Sequence, residues 1–314
     1  MPWKVVATCG SGWGQTCLPH TSCISAVRPP CLKDLILQRS VSVMRRFIDM
    51  NAPVFPQLLG PLDPFPYGEI NADSQSPFLL ICDHAGNAVP QKLDGLGLPH
   101  DELNRHIGID IGALPVALSL AGRLNAPLLF QRYSRLVIDT NRQDHALDSI
   151  PPISDGTLVP RNQDLSEEDR RMRRDEIHVP YHAAIEAAIE RATAAGRPPI
   201  VVSVHSYTPK LRAREQARPW EVALMWADDG AFSLPVQAAL EAAGDLNVGL
   251  NEPYAVSLEN DYSIPMHAHA RGLPYVEFEI RQDYIGTPAE AEEWAARLAD
   301  CLTQALSVYQ QTRA

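Results

Sequence analysis

Two histidines of this chain stand at the ends of apolar runs that have the pattern of buried β-strands. His84 ends one such run and His205 ends another, while a third run contains Glu277 and Glu279. Because α/β enzymes gather their chemistry at the carboxyl ends of strands, we expect these side chains to lie close together. Imidazole and carboxylate groups are ligands of divalent metals such as zinc. The three strand ends therefore predict a hydrolytic metal centre.

A catalytic zinc site needs a third protein ligand and keeps a fourth position open for water. Asp110, which precedes a predicted helix, is the candidate because of its position in the chain. Asp83 and Glu277 are the alternatives. We therefore predict that His84, His205 and Asp110 hold a divalent metal, with zinc as the expected ion.

Glu279 lies in an apolar strand, where burial raises the pKa of a carboxyl group toward neutral. A carboxylate with such a pKa is a suitable general base for the activation of water. The alternative is a solvated strand edge, because Glu277, Glu279 and Arg281 are two residues apart and share one face of the strand.

Three arginines lie close together in a short segment: Arg132, Arg135 and Arg142. One planar guanidinium can hold a substrate carboxylate through two hydrogen bonds, and another can stabilise a developing oxyanion. Asp139 and Asn141 lie within the same segment and are placed to orient the arginines. Solvated ion pairs at a loop edge are the alternative interpretation.

Other histidines are weaker candidates. His178 and His182 are four residues apart on a predicted helix, which is a spacing for metal ligands, but two exposed histidines are the favoured interpretation. His267 and His269 are two residues apart and cannot share a helical face. Neither pair is therefore assigned to the predicted metal site.

The balance of charges limits the classes of partner. The chain has 38 acidic and 27 basic residues, a formal net charge of -11 and no long basic block. Binding to nucleic acid or to an anionic membrane would lack electrostatic support, so a small substrate is expected instead. A small anionic substrate requires a locally basic pocket, which the arginine segment can supply. No apolar run reaches the roughly 18–20 residues that are needed to span a bilayer.

The cysteines are concentrated near the start of the chain. Four of the six lie in the first 31 residues, at Cys9, Cys17, Cys23 and Cys31. Their wide spacing fits neither a disulfide framework nor the paired cysteines of a structural zinc site. The same segment lacks the apolar core and the cleavage site of a secretory signal. We therefore expect a cytoplasmic protein.

Strand-like and helix-like segments alternate along the rest of the chain, without an internal repeat or an interior linker. This alternation predicts an α/β protein, a three-layer α/β/α sandwich with a mixed, mostly parallel central sheet. The predicted strands are 78–83, 128–131, 200–205, 222–226, a short strand near 248, and 275–280. The predicted helices are 110–124, 166–195 with a kink at Pro180, 233–243, 263–271 and 287–310.

Residues 51–314 are expected to form a single catalytic domain. Within it, the proline-rich segment 51–77 is predicted to be irregular, and 143–165 is predicted to be a long loop of the kind that covers a site. Residues 1–50 are expected to be a poorly ordered extension or a misassigned start, because Met44 and Met50 offer later starts.

Five ordered motifs together resemble the N-formylglutamate amidohydrolase family, over about residues 75–290. They are CDHAGNAVP at 82–90, HIGIDIG at 106–112, DTNR at 139–142, HSY at 205–207, and RGLP at 271–274 continuing to EIRQD at 279–283. The resemblance implies a fold related to that of zinc carboxypeptidases and aspartoacylases. One position departs from the carboxypeptidase pattern, since Asn87 stands where a glutamate follows the first metal histidine.

The resemblance also implies roles for individual residues. His205 would be the second metal histidine, Glu279 the general base and Arg135 the arginine that stabilises the oxyanion. The residues that we assign to substrate binding are Arg142 for the carboxylate, together with Asn141, Tyr207 and Arg281.

The predicted function is a metal-dependent amidohydrolase that cleaves the formyl or other acyl group from an N-acyl amino acid such as N-formylglutamate. A carboxypeptidase or deacylase with another N-acyl substrate is an alternative, and so is a carboxylate-binding protein without catalysis. A serine amidase that uses Ser206 is disfavoured, because the adjacent His205 points to the opposite face of the strand and cannot act as its base.

Overall fold

A seven-stranded sheet forms the middle layer of the protein in a computed structural model that describes residues 57–228 and 230–312. Its strands are β1 (Tyr67–Ile70), β2 (Phe78–Cys82), β3 (Leu128–Gln131), β6 (Ile200–Tyr207), β7 (Val222–Met225), β8 (Val248–Leu250) and β9 (Tyr275–Arg281). They lie in the order β1-β3-β2-β6-β9-β7-β8. A separate hairpin is formed by β4 (Ile153–Ser154) and β5 (Thr157–Leu158).

The sheet is mixed and mostly parallel, as predicted. Strands β3, β2, β6 and β9 run parallel to one another, and β8 runs parallel to β7. Antiparallel pairs occur where β1 joins β3 and where β7 joins β9. Every residue of β6 is buried, as expected for a central strand covered on both faces, and this explains its near-continuous apolar sequence.

Seven α-helices flank the sheet or connect its strands within the described residues. They are α1 (His100–Leu103), α2 (Ala113–Leu124), α3 (Glu167–Arg173), α4 (Val179–Ala194), α5 (Ser233–Glu241), α6 (Ser263–His267) and α7 (Pro288–Gln311). A π turn at Arg174–His178 joins α3 to α4, and 3-10 segments occupy Gln91–Gly97, Pro160–Asn162, His269–Arg271 and Gln282–Tyr284.

Two hydrophobic cores cover the two faces of the sheet and confirm the three-layer sandwich. Helices α2, α5 and α7 bury their apolar sides in the first core, where Leu120 and Leu302 meet Val204 of β6. Helices α4 and α6 cover the other face, where Ile185 and Ile264 meet Val201. Each helix thus contributes one apolar side to a core, as an amphipathic helix does.

The two-residue repeat of the central strands places the polar candidates on one face. Val204 of β6 and Phe278 of β9 point into the first core. Their neighbours His205, Glu277 and Glu279 therefore point to the opposite face, toward the helices of the second core. Two carboxylates and an imidazole are buried there in central strands, which is unfavourable unless they have partners.

Two segments predicted to lack regular structure contain short strands. The segment 51–77 contains β1, which is hydrogen-bonded along the sheet edge to β3. Gly68 of β1 lies against the ring of Phe130, where a side chain would collide. The position therefore requires glycine, although glycine is not typical of a strand in sequence. The segment 143–165 contains the β4–β5 hairpin. The prediction of wholly irregular structure was wrong at both places.

The predicted helix at 166–195 begins and is interrupted as the sequence suggests. Ser166 caps α3, because its hydroxyl accepts from the backbone N–H of Asp169 while the Asp169 carboxylate accepts from the backbone of Ser166. The interruption takes the form of the π turn at Arg174–His178, which directly precedes α4 and Pro180, a residue without an N–H to continue the hydrogen-bond pattern of the preceding turn.

The prediction that His178 and His182 are exposed was wrong, because both are buried. They face the segment 139–142 instead of solvent. Nε2 of His182 lies 2.8 Å from the carbonyl oxygen of Thr140, and Nε2 of His178 lies 3.1 Å from that of Arg142. Burial lowers the pKa of both imidazoles, so they are neutral hydrogen-bonding groups.

The predicted N-terminal extension, residues 1–50, lies outside the described residues. No helix within the described part of the chain has the length and apolar character that a membrane span requires.

A pair of glycines tests how closely the segment after His84 packs. A Cβ at Gly86 would overlap the backbone of Arg132, whereas one at Gly122, on the exposed side of α2, would meet nothing. We expect Gly86→Ala to lower the free energy of unfolding by about 1–3 kcal/mol through overpacking. Gly122→Ala should raise it by roughly 0.5–1 kcal/mol through helix propensity. Denaturant unfolding measures both, and equal stability of the two variants would contradict the close approach.

Candidate metal centre and active site

The register of the central strands brings the two predicted histidines together. His205 of β6 lies opposite Glu279 of β9, and His84 follows the end of β2 on the other side of β6. The two imidazole rings are 5.0 Å apart between their centroids. Because these strands are parallel, their carboxyl ends meet at one edge of the sheet, as expected from the sequence.

Asp110 completes a group of three buried side chains. Its Oδ2 atom lies 2.9 Å from Nδ1 of His205 and 3.3 Å from Nδ1 of His84. The backbone N–H of Asp110 donates to the carbonyl oxygen of His84 at 3.0 Å, which fixes the segment before α2 against the end of β2. The ligand atoms of the three residues all lie within 4.8 Å of one another.

The outer nitrogen of each imidazole faces another carboxylate. Nε2 of His84 lies 2.7 Å from Oδ1 of Asp139, and Nε2 of His205 lies 3.3 Å from Oδ2 of Asp83. Asp110 also faces both Nδ1 atoms, so each imidazole has a carboxylate near both of its ring nitrogens. Burial opposes a charge on these rings, but the surrounding carboxylates raise the pKa of both histidines. A cation in place of the two Nδ1 protons would leave the Nε2 protons facing Asp139 and Asp83.

This arrangement fits a divalent metal ion. Metal-bound histidines normally donate their outer N–H group to a carboxylate or carbonyl, which fixes the tautomer and makes the other nitrogen more basic. Ligand atoms roughly 2.0–2.1 Å from a tetrahedral zinc ion are about 3.3 Å apart, close to the nitrogen–oxygen separations found around Asp110. His84, Asp110 and His205 are therefore suited to hold such an ion.

The two outer carboxylates are held in place by further hydrogen bonds. Oδ1 of Asp83 accepts from the hydroxyls of Tyr181 and Ser263, both at 2.8 Å. Oδ2 of Asp139 accepts from Nη2 of Arg135 at 2.8 Å. Burial opposes ionisation of Asp83, but contacts with His205 and His84 lower its pKa to about 2.

The sequence suggested other roles for two carboxylates: Asp83 as an alternative metal ligand, and Asp139 as a residue that orients the arginines. In the structure both also lie behind the histidines. No local pattern marks a carboxylate that supports a histidine, because the partner is distant in sequence.

Glu277 and Glu279 line the same pocket as the histidines, so the alternative of a solvated strand edge was wrong. Burial raises the pKa of Glu279 to about 7 and that of Glu277 to about 8, while the nearby His205 partly offsets the effect on both. Oε2 of Glu279 is buried and has no hydrogen-bond partner among the described residues. A carboxyl group with a near-neutral pKa is suited to take up and release a proton there.

Arg135 and Arg142 also line the pocket. Arg135 contacts both carboxylates around His84, through Oδ2 of Asp139 and through Oδ1 of Asp110 at 3.3 Å. Arg142 forms ion pairs with Asp261 and with Asp148, the latter at 3.2 Å. Two guanidinium groups therefore bring positive charge to a pocket that is otherwise rich in carboxylates.

Three further residues were assigned to substrate binding from the sequence. Asn141 and Tyr207 line the pocket, but each side chain already has a backbone partner. The amide oxygen of Asn141 accepts from the N–H of Ser263 at 3.0 Å, and the hydroxyl of Tyr207 donates to the carbonyl of Trp220. These bonds hold both side chains at the pocket wall.

Arg281 does not lie in the pocket, and its placement in the substrate site is corrected here. It is the last residue of β9, and its Nε donates to Asp283 at 2.9 Å while its Nη1 donates to the carbonyl of Arg218 at 3.1 Å. The two-residue repeat would keep it on the face of Glu279, but the strand ends at this position and the side chain turns to the surface pair.

Neither Asn87 as a metal ligand nor Ser206 as a nucleophile is supported by the contacts of its side chain. The Nδ2 atom of Asn87 donates to Oδ1 of Asn104 at 2.7 Å, so this side chain is engaged away from the histidines and Asp110 takes the third position. The hydroxyl of Ser206 donates to the carbonyl of Ile111 at 2.8 Å. It has no hydrogen bond to a base among the described residues.

The pocket over this centre has a volume of about 330 Å³. A segment after β8 supplies one wall, and sequence reasoning did not find these residues because the segment has no recognisable motif. They are Tyr254, Ala255, Ser257, Asn260 and Asp261.

A buried His–Asp–His group beside near-neutral glutamates, at the strand ends of a mixed α/β sheet, is typical of metal-site hydrolases. Comparison with known protein families identifies the kind of hydrolase more narrowly. The model of the N-formylglutamate amidohydrolase family matches residues 76–286, and the chain belongs to this family. It is an amide hydrolase that acts on carbon–nitrogen bonds other than peptide bonds.

Two solved structures are similar to this chain in fold. A gene product of Agrobacterium tumefaciens is 33% identical with a TM-score of 0.76, and the match covers 81% of this chain and 100% of that one. N-formylglutamate amidohydrolase from Ralstonia eutropha has the same fold, at 19% identity and a TM-score of 0.56, over 80% of this chain and 99% of that one. No curated protein matches the sequence significantly.

The carboxylate behind His84 provides a test of the metal centre. We expect Asp139→Asn to weaken zinc binding about 10–100-fold, because the amide keeps the shape of the side chain but no longer increases the basicity of the imidazole. Competition with a chromogenic chelator measures the affinity. Asp144→Asn, in the same segment but outside the pocket, is the control. Equal zinc affinity in both variants would rule out the supporting role of Asp139.

Proposed function

We propose that this chain is a metal-dependent amidohydrolase that removes the acyl group from an N-acyl amino acid. One observation carries the proposal: the Nδ1 atoms of His84 and His205 converge on Asp110, while their Nε2 atoms face Asp139 and Asp83. Membership of the N-formylglutamate amidohydrolase family supports an N-acyl amino acid as the substrate class. Zinc is the proposed ion, since two imidazoles and one carboxylate form a ligand set typical of catalytic zinc.

The proposed ion supplies Lewis-acid polarisation of the amide carbonyl and makes water more acidic. The protein must then provide a base, a means of stabilising negative charge on oxygen, and a way to orient the substrate. The pocket contains a residue suited to each of these roles.

Glu279 is the proposed base. Its near-neutral pKa and its unpartnered Oε2 atom allow it to take a proton from the attacking water and to pass that proton to the departing nitrogen. Arg135 is the proposed electrostatic partner of the oxyanion that forms when water adds to the carbonyl. Its contacts with Asp110 and Asp139 orient the guanidinium beside the centre before substrate binds.

Arg142 is the proposed partner of the substrate carboxylate. Two of its nitrogens, Nε and Nη1, are used by Asp148, Asp261 and the carbonyl of Asn141. The remaining Nη2 has no hydrogen bond within residues 57–228 and 230–312, which leaves it available to a ligand. Asn141 and Tyr207 then complete the wall against which the amino-acid part would lie.

Removal of the metal tests the proposal directly. Zinc-loaded protein should hydrolyse N-formylglutamate, lose this activity with its zinc on chelation, and recover it when zinc is restored. Zinc content is measured by elemental analysis and hydrolysis by formate release. Full activity in protein shown to be free of metal would refute the proposed mechanism.

Replacement of the base completes this test. Glu279→Gln should retain zinc but reduce kcat by about 10²–10⁴-fold, because the amide cannot accept the proton. The surface variant Glu186→Gln is the matched control. Wild-type turnover in Glu279→Gln would exclude Glu279 as the base.

Two arginines of the chain allow a matched test of carboxylate binding. Arg142→Lys should raise KM for N-formylglutamate about tenfold with a smaller change in kcat, because one ammonium group cannot pair with Asp148 and Asp261 and also place a donor where Nη2 stands. Arg281→Lys, outside the pocket, should leave both parameters unchanged. Steady-state kinetics gives the comparison, and an effect of Arg281→Lys as large as that of Arg142→Lys would contradict the assignment.

A further inference from the structure

Glu277 is a buried carboxyl group of the pocket to which the proposed mechanism gives no task. It lines the pocket over the metal centre and is only 4% exposed. Its side chain makes no hydrogen bond and no ion pair within residues 57–228 and 230–312. A buried polar group without a partner is costly, and a buried charge is more costly still. We therefore expect the partner of Glu277 to arrive with a ligand.

The position of Glu277 on its strand places it at the inner end of the pocket. It precedes Glu279 by two residues on β9, so both side chains lie on one face of the strand. Two strand residues span about 7 Å, which sets Glu277 further from the carboxyl ends of the strands than the proposed base. Its neighbours in register are Ser203 of β6 and Met225 of β7. The hydroxyl of Ser203 has no hydrogen-bond partner among the described residues, and Met225, which lines the same pocket, has no side-chain donor.

The positive charges of the pocket are engaged by carboxylates other than Glu277. Arg142 pairs with Asp261, for example, and the second arginine of the pocket is paired as well. Burial raises the pKa of Glu277 to about 8, the nearby Asp261 and Glu279 raise it too, and His205 offsets part of the effect. A positively charged group beside Glu277 would relieve this repulsion, whereas a further carboxylate would increase it.

The surroundings of Glu277 indicate which part of a substrate reaches it. Asp261 contacts Arg142, the proposed partner of the substrate carboxylate, and its charge also acts on Glu277, so both residues are near Asp261. A substrate with its carboxylate at Arg142 and its amide at the metal centre has one group left, the side chain of the amino acid. This side chain is the part that can extend to the inner end of the pocket.

We propose that Glu277 selects N-acyl amino acids whose side chains end in an N–H donor, above all an ammonium group, over those with the side-chain carboxylate of glutamate. This inference rests on the proposed function, because it takes an N-acyl amino acid at the metal centre as the ligand. An ammonium group supplies both positive charge and hydrogen bonds to Glu277, and a methyl group supplies neither. A site built to receive a hydrogen bond discriminates against ligands that lack the donor, because its own polar group then stays unpaired.

The test uses four Nα-formyl amino acids whose side chains have equal length, those of ornithine, glutamine, norleucine and glutamate. With the zinc-loaded protein, kcat/KM should be at least about tenfold higher for the ornithine derivative than for those of norleucine and glutamate, with glutamine between them. Glu277→Gln, which keeps the shape of the side chain but removes its charge, should reduce the ornithine-to-glutamate ratio at least about tenfold.

Glu190→Gln, at an exposed position of α4, is the matched control and should leave the ornithine-to-glutamate ratio unchanged. A ratio of one or less in the wild-type protein would overturn the inference. So would a ratio in Glu277→Gln equal to that of the wild-type protein.

A binding measurement separates this inference from the proposed function. Calorimetry with the zinc-loaded Glu279→Gln variant should show tighter binding of Nα-formylornithine than of N-formylglutamate, and Glu277→Gln in that background should abolish the difference. If none of the four compounds is hydrolysed but this preference is found, the proposed function fails and selection by Glu277 stands. If N-formylglutamate is hydrolysed and binds at least as tightly as the ornithine derivative, selection by Glu277 is refuted and the proposed function stands.

Discussion

The organisation of this protein depends on two imidazoles and three carboxylates that meet at the end of a parallel sheet. Asp110 faces the Nδ1 atoms of both imidazoles, and Asp139 and Asp83 face their Nε2 atoms. Buried carboxylates need positive charge beside them, which protonated imidazoles or a bound cation can supply. The polar contacts around the site follow from this constraint, because each side chain must be held at a fixed angle for these nitrogen and oxygen atoms to converge.

The helices on the second face of the sheet hold these side chains in place. Tyr181 of α4 and Ser263 of α6 both donate to Asp83, which stands behind His205. The neutral imidazoles of His178 and His182 contact the backbone of the segment that carries Asp139 and Arg142. Histidines that resemble metal ligands in sequence thus support the segment on which the site depends, and burial keeps them uncharged although the nearby Asp83 favours the charged form.

The carboxyl groups of the pocket fall into two sets with different pKa values. The carboxylates that contact the histidines are ionised, since positive neighbours offset the cost of burying Asp83 and Asp139. Glu277 and Glu279 are buried with weaker compensation, so their pKa values rise to about 8 and about 7. One fold therefore holds permanently charged carboxylates for positioning beside carboxyl groups that can exchange a proton near neutral pH.

The sequence alone determined the parallel sheet, the strands that end in His84 and His205, and the burial of Glu279, because these features follow from local apolar periodicity. It also proposed Asp110 as the third ligand, but it could not show that Asp139 stands behind His84, 55 residues away, or that Tyr181 reaches Asp83 across 98 residues. Contacts over such separations depend on strand order and loop path, which no local pattern encodes. For the same reason only the tertiary structure showed that Arg281 turns away from the pocket and that His182 is buried.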